Sequence, residues 1–302
     1  MEITWLEDFV ALAEHMNFSR AAAARQVTQP AFGRRISALE RWVGAPLVDR
    51  ETHRLSLTAA GAQFLPVAEE TIRRLRQGRR EALDAANIAA SLRFAATNAL
   101  ALTFFPAWLR QLGASVSTSA INLVADNMQG CEQIMLDGQA QFLLCHYHPA
   151  AATRLNPNDF ASVRLGMDML VPVTAPDGAG MPRHALPGSP EQPVSYLAFS
   201  EQSGMGRILA ASWAQDGCAA HLKPVFTSHV AVVLKSLAAD GRGVAWAPLS
   251  LVAEDLAAGQ NLVRAGPGAW DIAMEIRLYR PRARQNGNAE AFWKMLKEAE
   301  AS

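Results

Sequence analysis

Residues 17–43, NFSRAAAARQVTQPAFGRRISALERWV, constrain the chain more than any other stretch. They read as two helices joined by a tight turn. Ser19 is the expected N-cap of the first, and residues 20–26 follow as an alanine-rich run of strong helix formers. Thr28 caps the second, with Pro30 in its first turn, where a missing N–H does no harm. Along that second helix Phe32, Ile36, Leu39 and Val43 recur at spacings of four, three and four, which makes one apolar face. Arg34 and Arg41 project nearly opposite it, with Ser37 beside them. A short helix with its back in a core and arginines on its front can enter a DNA major groove.

A chain of 302 residues is long for one domain, so two or more are expected. Half the residues are hydrophobic and 19% are charged, which fits globular domains. Formal net charge is zero, so any nucleic-acid contact must come from a local patch. Residues 16–50 supply one: six arginines (Arg20, Arg25, Arg34, Arg35, Arg41, Arg50) stand against Glu40 and Asp49, a surplus of four positive charges. Three cysteines are too few and too scattered for a disulfide framework or a cysteine-based zinc site. The opening MEITWLEDF has neither a basic n-region nor a cleavage site. The best apolar run, residues 243–253, is about half of the ~20 residues a bilayer span needs. The expectation is a soluble, cytoplasmic protein with no membrane partner.

Taken in order, residues 4–16 form a first helix, with Trp5, Phe9, Leu12 and Met16 at helical spacing and Leu6, Val10 and Ala13 broadening the stripe. Gly44 ends the second helix of the pair. Residues 46–50 and 54–57 then predict a two-strand wing with Arg50 and Arg54 at its tip, placed to touch phosphate or the minor groove. Residues 58–86 predict one long helix. Its apolar seam, Phe64 or Leu65, Ala68, Ile72, Leu75 and Ala82, lies near heptad spacing with Arg79 interrupting. A narrow seam on so long a helix pairs with a partner helix, so this is the expected dimerising linker.

Beyond residue 91 strands and helices alternate. Strands are expected at 92–96, 121–125, 141–147, 161–173, around Val225, and at 243–246, 261–263 and 272–279. Helices are expected at 99–112, 129–136, after Gly204, and at 230–239, 250–258 and 289–300. Such alternation predicts open, mainly parallel sheets in two lobes, with ligand between them at strand C-termini and helix N-termini.

AAAARQVTQPAFGRRISALERWVGAPLVDR, followed by LSLTAAGAQF, resembles the N-terminal domain of LysR-type transcriptional regulators, and the match continues over essentially the whole chain. The resemblance implies an α/β fold with an all-α N-terminus. Residues 1–58 would be a winged helix-turn-helix domain, 59–88 a linker helix, and 91–302 a two-lobed, periplasmic-binding-protein-like effector domain. Lobe I would take residues 91–161 and 266–302, and lobe II residues 162–265. By the same resemblance Thr28, Gln29, Pro30 and Arg34 make base-edge and phosphate contacts, while Arg35 and Arg50 touch the DNA backbone. Ser19, Ser37, Arg41 and Arg54 complete the expected DNA-binding set. Gly33 stands where the family commonly has serine. The implied partners are double-stranded DNA with a pseudo-palindromic operator, further copies of the chain (a dimer through the linker, expected as a tetramer) and RNA polymerase. Neither cofactor nor metal is implied.

WLEDF, TQPAFGRRI, FSEQSGMGRIL and DGRGVAWAP resemble the hypochlorite-responsive subgroup, which is activated by methionine oxidation. That resemblance puts Met205 on a loop before a cleft-facing helix, where sulfoxidation would turn an apolar side chain polar. Gly204 and Gly206 favour a flexible, accessible loop. His229 stands where the subgroup has another methionine. Methionines also fill irregular gaps in cores, and this chain has ten, so a packing role for Met205 stays open. Thr97 and Asn98, Ser200 and Ser203, and Thr227 and Ser228 precede expected helices facing the cleft, where each hydroxyl serves as ligand contact, N-cap or both. The competing cleft events are oxidation at Met205 and binding of a small, anionic metabolite. His146 and His148 share a strand face but lack a third metal ligand, and Cys131 near a helix start is either a stabilised thiolate or inert. No G-x-S-x-G, G-x-G-x-x-G, P-loop or H-E-x-x-H motif is present, so the chain is not expected to be an enzyme. The helix-turn-helix argues against a solute-binding protein or enzyme that merely reuses the two-lobed fold.

Overall fold

The computed structural model describes residues 1–49, 55–86, 91–113, 120–216 and 220–300. The chain divides into two compact units, one of Met1–Ala86 with Leu136–Gln139, the other of Asn87–Met135 with Ala140–Ser302.

In the first unit α1 (Ile3–His15), α2 (Phe18–Ala24) and α3 (Gln29–Val43) are followed by a wing of β1 (Val48–Asp49) and β2 (Ser56–Leu57) and by the long α4 (Ala59–Ala86). The expected apolar faces meet in one core of Leu6, Phe9 and Leu12, Ala21 and Ala22, Phe32, Ile36 and Leu39, closed by Leu47 and Val48. Asn17, not Ser19, caps α2: its extended backbone lets Oδ1 accept the Arg20 N–H at 3.0 Å, and Ser19 falls inside the helix. Thr28 holds the N-cap position of α3 without a side-chain capping bond. Gly44 ends α3 at φ +83°, a left-handed conformation that costs glycine little. The Glu40 carboxylate then accepts from the backbone N–H groups of Leu47 (3.0 Å) and Val48 (3.3 Å), which ties the wing to α3. A Cβ on Gly61 would stand 2.0 Å from the Leu47 carbonyl oxygen, so only glycine lets α4 start this close to the wing.

The α4 seam divides. Ala68 and Ile72 are buried in the core with α1, while Leu75 of the seam, and Val67 outside it, are each 54% exposed. The expected single stripe is therefore spent partly inside the unit and partly outside it.

The second unit runs β3 (Leu92–Thr97), α5 (Asn98–Thr103), α6 (Phe105–Leu112), β4 (Ile121–Asp126), α7 (Met128–Leu136), β5 (Phe142–Tyr147), β6 (Phe160–Thr174), β7 (Val194–Phe199), α8 (Gly204–Asp216), β8 (Leu222–Ser228), α9 (Ala231–Ala239), β9 (Ala245–Pro248), α10 (Leu249–Ala258), β10 (Val263–Arg264), β11 (Ile272–Pro281) and α11 (Gly287–Glu300). Seven strands form one sheet in the order β10-β6-β11-β5-β3-β4, with β9 also on β6, and β7 pairs β8 in a second sheet. The helix expected over 99–112 breaks at Phe104, because Pro106 in the first turn of α6 brings no N–H to bond back.

The sheets are not mainly parallel. Among the strands of the described residues β3–β4, β3–β5 and β7–β8 pair parallel, whereas β6 pairs antiparallel with β9, β10 and β11, and β11 with β5. The cause is the two crossing strands: β6 carries the chain out of lobe I and β11 carries it back. Each reaches both cores, Val163 and Ile276 in one, Leu170 and Met274 in the other. Among the described residues no helix is long and apolar enough to cross a membrane.

Candidate functional site

On α3 the side chains of Thr28, Gln29, Pro30, Arg34 and Arg41 are exposed, with Ser37 and Gly33 half-buried between them. Pro30, Gly33, Arg34, Ser37 and Arg41 line one shallow groove with Glu40 and residues 44–46. A Cβ on Gly33 would meet nothing within 4 Å, so glycine there leaves room in the groove rather than relieving a clash. Ser19 sits on α2 with its Oγ donating to Gln29 Oε1 at 3.1 Å, which orients the glutamine. Arg50 and Arg54, and with them the tip of the wing, lie outside the described residues.

Of the five arginines of this patch among the described residues, two face inward. Arg25 reaches Asp8 Oδ1 at 2.9 Å and Glu7 Oε2 at 2.6 Å, and Arg35 reaches Asp8 Oδ2 at 3.3 Å. Arg76 of α4 meets Glu7 Oε1 at 2.5 Å. Asp8 is 0% exposed, so these guanidinium groups supply the partners a buried carboxylate requires. Burial pushes the Glu7 carboxyl up, but the hydrogen bonds and charges of Arg76 and Arg25 outweigh it and hold the group below its ordinary value. This cluster pins all four helices together. The signal for it was present in the sequence: Asp8 lies one turn before Leu12 on the apolar face of α1, where an acid needs a cation.

In the second unit a recess opens between the lobes. Thr97, Asn98 and Ala99, then Asp126, Asn127 and Met128, then His146 form one wall; Ser203, Gly204 and Met205, then His229 and Ala231, form the other. It encloses about 30 Å³. Of the expected contacts, Thr97, Asn98, Ser203 and Met205 are brought together here, whereas Ser200, Thr227 and Ser228 are not in the lining. Thr97 Oγ1 and Ser200 Oγ are buried without a hydrogen-bond partner among the described residues. Thr227 is exposed, and Ser228 Oγ accepts the Val230 N–H at 3.1 Å.

Met205 is neither on a loop nor open to bulk solvent. It is the second residue of α8, 6% exposed, and packed in the lobe II core. Its flanking glycines serve close packing instead of flexibility. A Cβ on Gly206 would stand 2.6 Å from the Ser200 carbonyl oxygen, and one on Gly204 would stand 3.2 Å from Met128 Cβ across the recess. At the start of α7 Asn127 N–H donates to Asp126 Oδ1 (2.7 Å) and Gly130 N–H to Asn127 Oδ1 (2.9 Å).

His146 bonds through Nε2 to Asp168 Oδ2 at 3.0 Å, and Ser250 Oγ donates to the same oxygen at 2.6 Å. Burial raises the Asp168 pKa, but His146 and the Ser250 and Met169 donors outweigh it and keep the carboxyl low. His148 turns instead to its own chain, its Nδ1 accepting the Ala150 N–H at 3.3 Å. Among the described residues no three His, Cys, Asp or Glu side chains cluster as a metal site. Cys131 is fully buried, and burial pushes its thiol up to about 12, so it carries no thiolate at neutral pH.

Residues 3–62 match the family described as bacterial regulatory helix-turn-helix protein, lysR family, and residues 85–301 match the LysR substrate binding domain. The chain belongs to the LysR family of DNA-binding transcriptional regulators. This LysR regulator is 30% identical to the HTH-type transcriptional regulator YjiE of Escherichia coli K12 over 99% of its own length and 95% of that protein's. It resembles full-length HypT from Salmonella typhimurium, described as a hypochlorite-specific LysR-type transcriptional regulator, with TM-score 0.59 and 29% identity over 100% and 99% of the two chains. Vibrio fischeri DarR, solved in complex with DNA, matches with TM-score 0.57 and 30% identity over 98% of each chain.

What the motifs of this LysR regulator left unseen is the clasp between its lobes. Glu132 of α7 is 0% exposed and accepts Arg207 Nη1 of α8 at 3.0 and 2.9 Å. The Gln129 N–H donates to the Gln202 carbonyl at 3.3 Å, beside the Gly204–Met128 approach. In sequence the signal was G-M-G-R itself, since glycine at alternate positions of a helix start marks backbone approached from two sides.

Proposed function

We propose that this regulator reads a pseudo-palindromic operator as a homo-oligomer, and that an oxidant of the hypochlorous acid class switches it by sulfoxidising Met205. The observation that carries the switch is that Met205 lines a recess enclosing about 30 Å³. One water needs roughly 10–15 Å³ on this measure, so the recess has room for a small reactant and no more without the lobes parting. Neither lysine nor arginine is among the lining residues and Asp126 is, which suits an uncharged reactant better than an anion. The likeness to HypT supports the same reading. On the DNA side, Thr28, Gln29, Pro30, Gly33, Arg34, Ser37 and Arg41 form the reading face, with Ser19 acting through Gln29. Arg35 holds the helix in place, and Arg50 and Arg54 serve as phosphate contacts. Copies pair through the exposed part of α4, at Val67 and Leu75.

Met205→Leu, which cannot be oxidised, is expected to abolish the oxidant response. Met205→Gln, a polar mimic of the sulfoxide, is expected to shift operator affinity without oxidant by about 5- to 150-fold, the usual size of an allosteric coupling. Binding is measured on DNA fragments recovered by genomic pull-down with the protein itself.

A second reading rests on Thr97 Oγ1, buried in the recess wall without a partner among the described residues, which favours a hydrogen-bonding metabolite there. With Asp126 in the wall and neither lysine nor arginine among the lining residues, that metabolite is uncharged or cationic rather than anionic. An unaltered response in Met205→Leu, together with thermal stabilisation by such a metabolite, selects this reading.

A further inference from the structure

We propose that Met128 is a second thioether target of the same oxidant, and that its sulfoxide opens the clasp between the lobes. The proposal rests on the oxidant reading of the recess and adds a residue, a place and a transmission step to it.

Met128 is the lobe I counterpart of Met205. Both line the recess, from opposite walls, and both are only 6% exposed to bulk solvent. Met128 also lines a second, adjoining recess, with His148 and Arg207, so it stands between two spaces instead of being sealed in a core. Met135 and Met274 differ on this point: they are fully buried and line neither recess.

The side chain lies flat against lobe II. A Cβ placed on Gly204 would be 3.2 Å from Met128 Cβ, 3.3 Å from Cγ and 3.7 Å from Sδ. An oxygen added to the sulfur on that side meets the Gly204 backbone. The next residue, Gln129, gives its N–H to Gln202 of lobe II, and Glu132 one turn on holds Arg207. The first turn of α7 is thus the lobe I half of the clasp, and Met128 is its first residue.

The chemistry balances. The sulfur lone pair attacks the chlorine of hypochlorous acid, and hydroxide leaves. Water then displaces chloride from the chlorosulfonium ion, and loss of protons leaves the sulfoxide. The net change is thioether plus hypochlorous acid to sulfoxide, chloride and a proton, with sulfur losing the two electrons that chlorine gains. A sulfoxide adds a polar oxygen to a side chain already packed against the Gly204 backbone, where it is costly to bury. Moving α8 away relieves it, at the expense of the Gln129–Gln202 bond.

The test is peptide mapping of the full-length protein after graded doses of hypochlorous acid, joined to operator binding. Met128 is expected to gain one oxygen along with Met205 at doses that leave Met135 and Met274 untouched; exposed Met167 and Met181 report bulk oxidation. Met128→Leu is expected to reduce the ratio of oxidised to unoxidised operator affinity, and Met128→Gln to shift affinity without oxidant, again about 5- to 150-fold. Oxidation of Met205 with Met128 untouched, or a Met128→Leu protein whose ratio matches the unsubstituted one, overturns the Met128 proposal alone. If neither Met205 nor Met128 reacts ahead of Met135, the oxidant reading falls and takes this proposal with it.

Discussion

The N-terminal unit and the inter-lobe recess both bury carboxylates, and they use them differently. In the first, Asp8 and Glu7 are held by three arginines drawn from α2, α3 and α4, so charge is spent on fixing four helices to one another. In the second, Glu132 accepts Arg207 from across the lobe boundary, with donors from Thr153 and Arg154 beside it. A carboxylate with cations on several helices makes a rigid body. One that takes a cation from the other lobe makes a joint that can open.

Replacing Asp8 should test the rigid side most severely. Asp8→Ala leaves Arg25 and Arg35 without their buried acceptor, and removal of one partner from a buried ion pair costs roughly 3–5 kcal/mol. Chemical denaturation should show that loss in the N-terminal transition, and operator binding should fall with it. A change under about 1 kcal/mol would mean the cluster is decoration. The joint is probed by Gly204→Ala, whose methyl would press on Met128 at 3.2 Å. Overpacking of this kind costs about 1–3 kcal/mol; it should appear in the effector unit only, with an altered response to oxidant and an unaltered N-terminal transition.

Arg34→Ala addresses the reading face. Operator affinity should fall by about 1–3 kcal/mol if Arg34 contacts a base, or the salt slope should drop by about one if it contacts phosphate; binding indifferent to both salt and this change would sink the assignment of α3 as the reading helix. The pH dependence of stability sharpens the comparison further. Glu7 is held below its ordinary value of 4.5 in the folded state. Its contribution is therefore present above that value and is lost as pH falls through the lower folded value. Acid denaturation of Glu7→Gln should lack that part of the decline. Smallest of all is Gly33→Ser, which fills open space and should alter stability by about 0.5 kcal/mol, while changing base preference.

How much of this could be read from the sequence follows the same division. The reading helix was legible because its residues are near neighbours: Phe32, Ile36 and Leu39 bury, Arg34 and Arg41 do not, and Gly44 stops the helix. Even the miss there is local, since Asn17 and Ser19 are both capping types and only the backbone decides between them. The recess draws on five separate stretches of chain, and no spacing rule joins Met128 to Gly204. There the G-M-G-R motif pointed to the right lobe and the wrong environment, because glycine permits close packing as readily as motion. The sheet direction was misjudged for a related reason. Alternating strands and helices predict parallel pairing locally, but β6 and β11 are long enough to cross the molecule, and their directions are set by the return of the chain. β7, an apolar run of six residues behind Pro193, was not expected at all, because a strand with little polar alternation has no period to read.

The divided seam of α4 has a consequence for dissection. The DNA-binding domain cannot be excised at the end of its wing, where homology alone would cut it. Ala68 and Ile72 are structural members of its interior, and Arg76 completes the Glu7 cluster. A fragment stopped at residue 58 would be missing a wall, while one carried past Arg76 keeps its interior closed and still presents Leu75 to a neighbour. Whatever was grafted onto this head, in the laboratory or in the course of evolution, had to be joined at least five helical turns downstream of where α4 begins.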